Sequence, residues 1–153
     1  MRILITGGAG FIGSNLVLHW LQHHPQDHIF NLDALTYAGN LLNLKEVEGN
    51  SNYHFLHADL RQTDVVKKIF IEHKIEGVLH LAAESHVDRS INGPAEFIET
   101  NILGTFHLLE AARAYWGNSP DPRFHHVSTD EVFGSLGPKG TFHEATPYAP
   151  NSP

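Results

Sequence analysis

A glycine-rich turn near the N-terminus constrains this chain more than any other feature. The apolar run Ile3–Ile5 precedes the turn, and an amphipathic segment begins near Phe11. This order predicts a strand, a tight turn and a helix at the start of a parallel α/β domain. Two glycine patterns overlap in the turn, Gly7-x-x-Gly10-x-x-Gly13 and Gly8-x-Gly10-x-x-Gly13. Such glycines allow a sharp turn, a close approach of the backbone to a pyrophosphate at the helix N-terminus, and tight packing of helix on strand.

An acidic residue follows the second apolar run of the chain. Asp33 ends the run His28–Leu32 and lies 20 residues after Gly13. A carboxylate at this strand end can accept hydrogen bonds from the ribose hydroxyls of a dinucleotide. It would repel the 2′-phosphate of NADP, and Ala34 stands where an arginine would favour that phosphate. These residues together predict an NAD site, rather than a turn that is merely rich in glycine.

Composition and charge exclude several classes of function. The 153 residues suffice for one domain with a core, and the formal net charge of −7 argues against a nucleic-acid or membrane-surface partner. Cysteine is absent, so disulfides and thiolate chemistry are excluded, which fits a cytoplasmic location. The first strand leaves no room for a signal peptide, and no apolar run approaches membrane-spanning length. The 13 histidines show no metal-ligand spacing, so we expect no metal site.

Strand-like and helical runs alternate along the chain. The alternation predicts a Rossmann-like, doubly wound parallel α/β sheet with strand order 3-2-1-4-5, truncated after about five strands. We expect a cofactor-binding domain over residues 1–133 and an irregular loop over 134–153. The predicted strands are Arg2–Thr6, His28–Asp33, Tyr53–His57, Gly77–Ala82 and Arg123–Ser128. The predicted helices are Ile12–His23, Leu41–Val47, Asp64–His73 and Pro94–Trp116.

Ligands of such sheets bind beyond the carboxyl ends of the strands, so the residues after each strand are candidates for the site. Asp59 follows the third strand, where it could cap the next helix or hydrogen-bond an adenine amino group. After the fourth strand, Ala82 and Ala83 leave room for a cofactor to pass over the backbone. The dense polar set that follows, up to Ser90, favours a ligand-binding segment over a solvated turn with internal Asp–Arg pairing.

The long predicted helix carries more apolar surface than one contact with a sheet requires. Ile98, Ile102, Thr105 and Leu109 form one stripe, and Leu103, Phe106 and Tyr115 lie away from it. A thoroughly buried helix would explain this arc. We favour the alternative, a helix that also packs on a partner subunit.

Two adjacent acids, Asp130 and Glu131, follow the fifth strand. Successive strand residues point to opposite faces, so the chain must leave strand geometry at Thr129 if both acids are to reach one site. A helix start, with a Ser or Thr cap and acids in the first turn, satisfies this condition. Capping and catalysis are compatible, so this explanation leaves a catalytic role open.

Taken together, the chain resembles the N-terminal part of the extended short-chain dehydrogenase/reductase family, most closely its dehydratases of nucleotide-activated glucose. Related sugar-nucleotide epimerases usually lack an acid pair at the position of Asp130 and Glu131. Five passages carry the resemblance, namely Thr6–Gly13, Asp33–Asn40, Ala82–Ser90, Thr100–Thr105 and Ser128–Gly134.

The resemblance implies NAD as cofactor and dTDP-glucose as substrate. It implies oxidation at C4, loss of water across C5 and C6, and reduction at C6, with Glu131 as general base and Asp130 as general acid. Adjacent carboxyls suit this division, since like charges drive their pKa values apart. Thr129, Ser85 and Asn101 are the implied substrate-site residues. The predicted cofactor contacts are Gly7, Gly10, Phe11, Ile12, Gly13, Asp33, Ala34, Leu35, Thr36, Asp59, Leu60, Leu81, Ala82, Ala83, Ser85 and Thr100.

The family's Tyr-x-x-x-Lys pair, which would follow directly after Pro153, does not occur in this sequence. In the family the tyrosine is the base for the 4-hydroxyl, and the lysine lowers its pKa. We therefore expect an inactive fragment of a lyase whose full-length form is a homodimer. Two alternatives stay open: a non-catalytic NAD-binding module and an epimerase-type relative.

Overall fold

The computed structural model describes residues 1–151 and shows one parallel sheet. Its strands are β1 (Arg2–Thr6), β2 (His28–Asp33), β3 (Tyr53–His57), β4 (Gly77–His80) and β5 (Arg123–His126). They lie in the order β3-β2-β1-β4-β5, and every neighbouring pair is parallel. The predicted strand order is therefore confirmed. Parallel strands need crossover connections, and the helices between them supply these connections.

Helices cover both faces of the sheet, which confirms the doubly wound α/β class. The α-helices are α1 (Phe11–His23), α2 (Thr63–His73), α3 (Val87–Asn92), α4 (Pro94–Phe97) and α5 (Thr105–Trp116). The 3₁₀ segments are Leu41–Val47 and Asp130–Phe133, and a π-helical segment covers Ile98–Gly104.

The alternation of side chains along the strands divides the core into two layers. Along β1, Ile3 and Ile5 join the cluster that contains Val17 of α1, whereas Leu4 joins the cluster that contains Phe70 of α2. Successive strand residues point to opposite faces, so an apolar run such as β1 buries side chains on both sides. Because all five strands run parallel, their carboxyl ends and the loops that follow lie along one edge of the sheet.

Several predicted elements differ from the structure in extent or type. β4 ends at His80 and β5 at His126, each two residues earlier than predicted, and the chain after each strand turns toward the sheet edge. Leu41–Val47 is a 3₁₀ segment, which begins where the Asn40 side chain accepts a hydrogen bond from the Leu42 N–H. The polar passage after β4 forms helix α3, which was not among the predicted helices.

The single helix predicted over Pro94–Trp116 is divided by the π-helical segment. Within that segment, a Cβ at Gly104 would approach Leu60 Cβ to 3.1 Å, so the helix packs closely on the chain after β3. The Asn101 side chain reaches the backbone of Glu84 in the loop after β4. Single π-type turns within helices occur often at functional sites.

The explanation that the helix predicted over Pro94–Trp116 is thoroughly buried is wrong. Its buried residues are Phe97, Gly104, Leu108, Ala111 and Ala112. Leu108, Ala111 and Ala112 belong to the core cluster that contains Phe70 of α2 and Val78 of β4. The predicted stripe does not lie in the core, since Ile98, Ile102 and Leu109 are 49%, 61% and 45% exposed. With Leu103 and Phe106, which are also exposed, these side chains form an exposed apolar face.

The chain after Phe133 contains neither helix nor strand up to residue 151, yet it packs back on the 3₁₀ segment. Ala149 donates a backbone hydrogen bond to Val132, and the Phe133 ring stacks on Phe142 at 5.2 Å between centroids. A Cβ at Gly134, whose φ is +79°, would collide with the Ala149 carbonyl. Within residues 1–151 there is no helix of the length and apolar character that crossing a membrane would require.

Candidate active site

One cleft of about 1020 Å³ runs along the carboxyl ends of the strands. It is lined by residues from the loop after every strand, as expected for an open parallel sheet. The predicted residues on its wall are Gly7, Gly10, Phe11, Ile12, Gly13, Asp33, Ala34, Thr36, Asp59, Leu60, Leu81, Ala82, Ala83, Ser85, Thr100, Asn101, Thr129, Asp130 and Glu131. Leu35 is the predicted residue that does not line it.

The glycines of the turn have separate structural roles. Gly7 has a φ of +70°, and a Cβ there would lie 2.8 Å from the Ala82 backbone. A Cβ at Gly13 would collide with the Gly7 carbonyl, so Gly13 lets α1 pack closely on the turn. Gly10 has only the Gly7 carbonyl near its Cβ position, at 3.3 Å, and lines the cleft. Gly10 is therefore the position where a ligand can approach the backbone.

The N-terminus of α1 opens into this cleft. Gly10 is its N-cap residue and offers no side-chain acceptor to the first turn of the helix. The first N–H groups of a helix lack partners within the helix and carry partial positive charge, so they favour an anion. Phe11 and Ile12 line the same part of the cleft and are 83% and 66% exposed. A bound ligand would cover both side chains.

Asp33 is held rigidly at the end of β2. Its carboxylate accepts hydrogen bonds from the N–H groups of Ala9, at 2.9 Å, and Leu35, at 2.8 Å. Leu35 has a φ of +51°, and this conformation directs its N–H to Asp33. A Cβ at Gly39 would lie 2.8 Å from the same carboxylate. Leu35 therefore contributes to the cleft through its backbone N–H, which holds the Asp33 carboxylate.

Asp59 does not cap α2, so that alternative is wrong. The N-cap residue of the helix is Gln62, and the Asp59 carboxylate instead accepts hydrogen bonds from the Arg61 backbone and guanidinium. Burial opposes ionisation of Asp59, but the hydrogen bonds and charge of Arg61 outweigh it and hold the pKa below its usual range. Arg61 also pairs with Glu99 at 3.2 Å, which ties the loop after β3 to the π-helical segment.

The loop after β4 is fixed by Asn101. Its side-chain oxygen accepts from the Glu84 N–H and its amide nitrogen donates to the Glu84 carbonyl, both at 2.8 Å. This pairing supports the interpretation of Asn101 as a residue that holds the site in place; a direct contact with substrate stays a prediction. Ser85, next along the chain, is exposed to the cleft.

Arg89 of α3 extends across the cleft toward the loop after β2. Its guanidinium lies over the Tyr37 ring, 4.3 Å from the centroid, and pairs with Glu96 at 3.4 Å. Glu84 lies 3.8 Å from the same guanidinium. Arg89 thus pairs with glutamates. The Asp–Arg pairing that a solvated turn after β4 would contain does not form within that passage of the described residues.

The acid pair begins the 3₁₀ segment after β5. Thr129 has extended backbone angles, and its hydroxyl oxygen accepts a hydrogen bond from the Glu131 N–H at 3.2 Å. The chain therefore leaves strand geometry where predicted, with a threonine cap and both acids in the first turn. Asp130 and Glu131 are exposed and line the cleft. The Thr129 hydroxyl keeps its proton free to donate.

Several residues on the cleft wall were missed by the sequence reasoning. They include Tyr37, Glu84, Arg89, Phe97 and Pro150. Tyr37, Glu84 and Arg89 lie within passages that had already been singled out, so the density of polar side chains there was a usable signal. No comparable signal marks Pro150, because its place on the cleft depends on how the tail folds back. Within residues 1–151, no group of three or more histidine, aspartate or glutamate side chains could hold a metal ion.

Comparison with known proteins assigns this fold and cleft to a family. A family model described as GDP-mannose 4,6 dehydratase matches residues 4–153. The chain belongs to this family. Its dTDP-glucose 4,6-dehydratase relative from Escherichia coli is 52% identical over 100% of this chain and 46% of the relative.

Solved structures of this family and its relatives have the same fold. The dTDP-glucose 4,6-dehydratase of Streptomyces venezuelae, solved with NAD bound, is 44% identical with a TM-score of 0.90, over 99% of this chain and 46% of that one. A UDP-glucose 4-epimerase of Thermus thermophilus, in complex with NAD, is 32% identical with a TM-score of 0.85, over 99% of this chain and 45% of that one.

The family assignment confirms the resemblance to nucleotide-sugar dehydratases drawn from the five sequence passages. The chain spans about half the length of the curated relatives that it matches, at 46% of the Escherichia coli protein. Dehydratases and epimerases both align with the fold, so the fold alone does not separate these two activities.

Proposed function

We propose that this chain is the NAD-binding part of a dTDP-glucose 4,6-dehydratase and supplies its acid–base pair. One observation carries the proposal: the cleft brings together Gly10 at the open N-terminus of α1, the fixed carboxylate of Asp33, and the acids Asp130 and Glu131. The first two suit a dinucleotide, and the acids stand farther along the same wall. The relatives named dTDP-glucose 4,6-dehydratase support this assignment.

The described residues fit NAD in three respects. The α1 N-terminus has no side-chain cap, and Gly10 leaves its side of the backbone open to a pyrophosphate. Asp33 presents a carboxylate, held by two N–H groups, to a ribose hydroxyl. The same negative charge would disfavour the 2′-phosphate of NADP.

When bound, NAD would accept a hydride from C4 of the glucosyl group and return it to C6. Glu131 would remove the C5 proton, which the neighbouring C4 ketone makes acidic. Asp130 would donate a proton to the departing C6 hydroxyl. Thr129, whose oxygen already accepts from the Glu131 N–H, would donate a hydrogen bond to the oxygen of the sugar 4-hydroxyl. The cap hydrogen bond thereby holds threonine and glutamate in fixed relation.

The sequence contains no Tyr-x-x-x-Lys, so we propose that this chain alone has negligible turnover. A base for the 4-hydroxyl would have to come from elsewhere in the protein. We propose residues 1–133 as the cofactor-binding domain and 134–153 as a loop that leads out of it. The cytoplasmic location and the homodimer are also proposals, the latter supported by the exposed apolar face of Ile98, Ile102, Leu103, Phe106 and Leu109.

Calorimetric titration of this chain with NAD and NADP tests the cofactor assignment. We expect NAD to bind more tightly than NADP, and binding to be lost in Asp33→Ala. Asp121→Ala, at an exposed position outside the cleft, is the matched control and should bind as the wild type does. Circular dichroism of each variant separates lost binding from lost folding. A folded wild-type chain that binds neither dinucleotide would contradict the assignment.

The epimerase alternative is favoured by the structural likeness to a UDP-glucose 4-epimerase. The acid pair opposes it, because transfer of hydride to and from C4 alone requires no acid and base at C5 and C6. Product analysis of a chimaera that joins this chain to the remainder of the Escherichia coli relative would decide. A 4-keto-6-deoxy product supports the dehydratase, and an epimerised sugar supports the alternative.

A further inference from the structure

The Glu84 carboxylate is buried in the cleft wall without a hydrogen-bond donor. The Glu84 side chain is 9% exposed, and its Oε2 atom has no hydrogen-bond partner. Glu84 lines the cleft. A buried carboxylate oxygen without a donor is unfavourable, and such atoms are rare in folded proteins. Its position therefore needs an explanation other than the stability of the fold.

The backbone of Glu84 is fixed from both sides. Asn101 accepts from its N–H and donates to its carbonyl, each at 2.8 Å. Because this clamp comes from the π-helical segment, the backbone position of Glu84 is set by the same element that shapes this part of the cleft. The carboxylate therefore extends from a fixed backbone position and is buried there.

Arg89 does not satisfy the Oε2 atom. Its nearest nitrogen lies 3.8 Å from Oε2, beyond the range of a hydrogen bond. The guanidinium is engaged elsewhere, since it stacks on Tyr37 and lies 3.4 Å from Glu96. Arg89 thus lends charge to the surroundings of Glu84 but leaves a vacant acceptor on the carboxylate.

We propose that Glu84 Oε2 accepts a hydrogen bond from a hydroxyl or amide N–H of the ligand in this cleft. The inference rests on the proposed function, which supplies donors of this chemistry: the nicotinamide ribose, the carboxamide, and the hydroxyls of the sugar. A charge-assisted hydrogen bond that a buried carboxylate accepts from such a group is strong and directional. Glu84 thereby becomes a ligand-binding residue that the family resemblance did not assign.

Calorimetry on Glu84→Gln tests this role, because the amide keeps the size of the side chain and removes its charge. We expect affinity for the donating ligand to fall by roughly tenfold or more, the usual effect of losing a hydrogen bond to a charged group. Glu96→Gln is the matched control. This variant removes the other carboxylate partner of Arg89. The Glu96 side chain is 62% exposed, so the change should alter affinity less than twofold.

Three ligands distinguish the source of the donor. Equal losses for NAD and ADP-ribose identify a ribose hydroxyl, and a loss for NAD alone identifies the carboxamide. A loss confined to dTDP-glucose identifies a sugar hydroxyl. Each of these results supports the proposal. Unchanged affinity for all three ligands in Glu84→Gln would overturn it, as would an equal loss in Glu96→Gln.

A melting experiment without ligand separates this inference from the proposed function. If Glu84 serves a ligand, replacing a carboxylate whose Oε2 atom lacks a hydrogen bond leaves the Tm of the free chain unchanged or higher. If it serves the fold, the Tm of Glu84→Gln falls below that of Glu96→Gln, and the proposal is wrong. Should the wild-type chain bind none of the three ligands, the cofactor assignment fails, and the melting comparison still decides the role of Glu84.

Discussion

The Oγ1 atom of Thr6 lies 2.7 Å from Nδ1 of His80, and Nε2 of the same ring lies 2.9 Å from Oγ1 of Thr105. Thr6 Oγ1 also accepts hydrogen bonds from the Leu81 and Ala82 N–H groups. With both lone pairs so used, the Thr6 proton must go to His80 Nδ1, and Nε2–H donates to Thr105. The network therefore requires a neutral histidine between the ends of β1 and β4 and the start of α5.

This network predicts loss of stability in mild acid. Burial, with a smaller effect from the nearby charge of His126, lowers the pKa of His80 to about 4. A histidine whose folded-state pKa lies below its usual 6.5 contributes stability that is complete above about pH 6.5 and is lost as the pH falls toward 4. The full shift corresponds to about 3 kcal/mol. Urea unfolding at pH 7.5, 6 and 5 measures this loss.

The control for the acid effect is His80→Gln, which cannot take up the proton. We expect this variant to be less stable than the wild type at pH 7.5 but to lose less stability between pH 7.5 and 5. An identical pH slope in both proteins would show that other groups cause the acid sensitivity.

Gly7→Ala should disrupt the turn. A Cβ at this position would meet the Ala82 backbone at 2.8 Å, and the φ of +70° is strained for alanine. We expect a loss of about 3 kcal/mol in the free energy of unfolding, from overlap and backbone strain together. Gly49→Ala is the control, since nothing lies within 4 Å of its Cβ position. Equal stability of the two variants would contradict the proposed close approach.

Asn101→Ala removes both hydrogen bonds that clamp Glu84. We expect a loss of ~2 kcal/mol in stability, because two partly buried backbone groups lose their partner. Hydrogen exchange at the Glu84 amide should accelerate more than at amides of the sheet. Asn92→Ala removes one exposed bond to the Asp88 carbonyl and should leave that exchange unchanged. Unaltered protection of Glu84 in Asn101→Ala would refute the clamp.

The acid pair can be tested in the chimaera with the Escherichia coli remainder. Glu131→Gln and Asp130→Asn should each lower kcat by roughly 10²- to 10⁴-fold, as is usual when a general acid or base is removed. NAD affinity should stay within twofold. Glu144→Gln, at an exposed position in the tail, should leave kcat unchanged. Wild-type activity in the double variant would favour the non-catalytic module.

Phe106→Glu tests the exposed apolar face. Phe106 is 54% exposed beside Ile102 and Leu103, and an apolar patch of this kind marks a protein contact. We expect light scattering to show self-association of the wild-type chain and a monomer for the variant. Ile71→Glu changes a 63% exposed side chain on α2 and should leave the association intact. A monodisperse wild-type monomer would count against the proposed homodimer.

The sequence predicted those features that depend on neighbouring residues. The glycine turn before α1 and the threonine cap at Thr129 follow from local patterns of apolar, glycine and hydroxyl side chains. The strand order was predicted differently, from the alternation of strands and helices and the rules that parallel sheets obey. The prediction of one long helix was wrong because a periodic pattern of residues cannot show where an α-helix changes to a π-helical segment. That interruption occurs where Asn101 reaches Glu84, 17 positions away in the chain.

The local pattern of residues therefore decided the class of fold and the edge of the sheet where a ligand binds, because periodicity and turn chemistry act over a few residues. Only the tertiary structure decided how the cleft wall is held together. Thr6 and His80 are 74 positions apart, and His80 and Thr105 are 25 apart. In the same way, Glu84 Oε2 lacks a hydrogen bond because of how the segments packed around it are arranged. Hydrogen-bond satisfaction is a property of a packed neighbourhood, and such neighbourhoods form from distant segments only once the sheet has assembled.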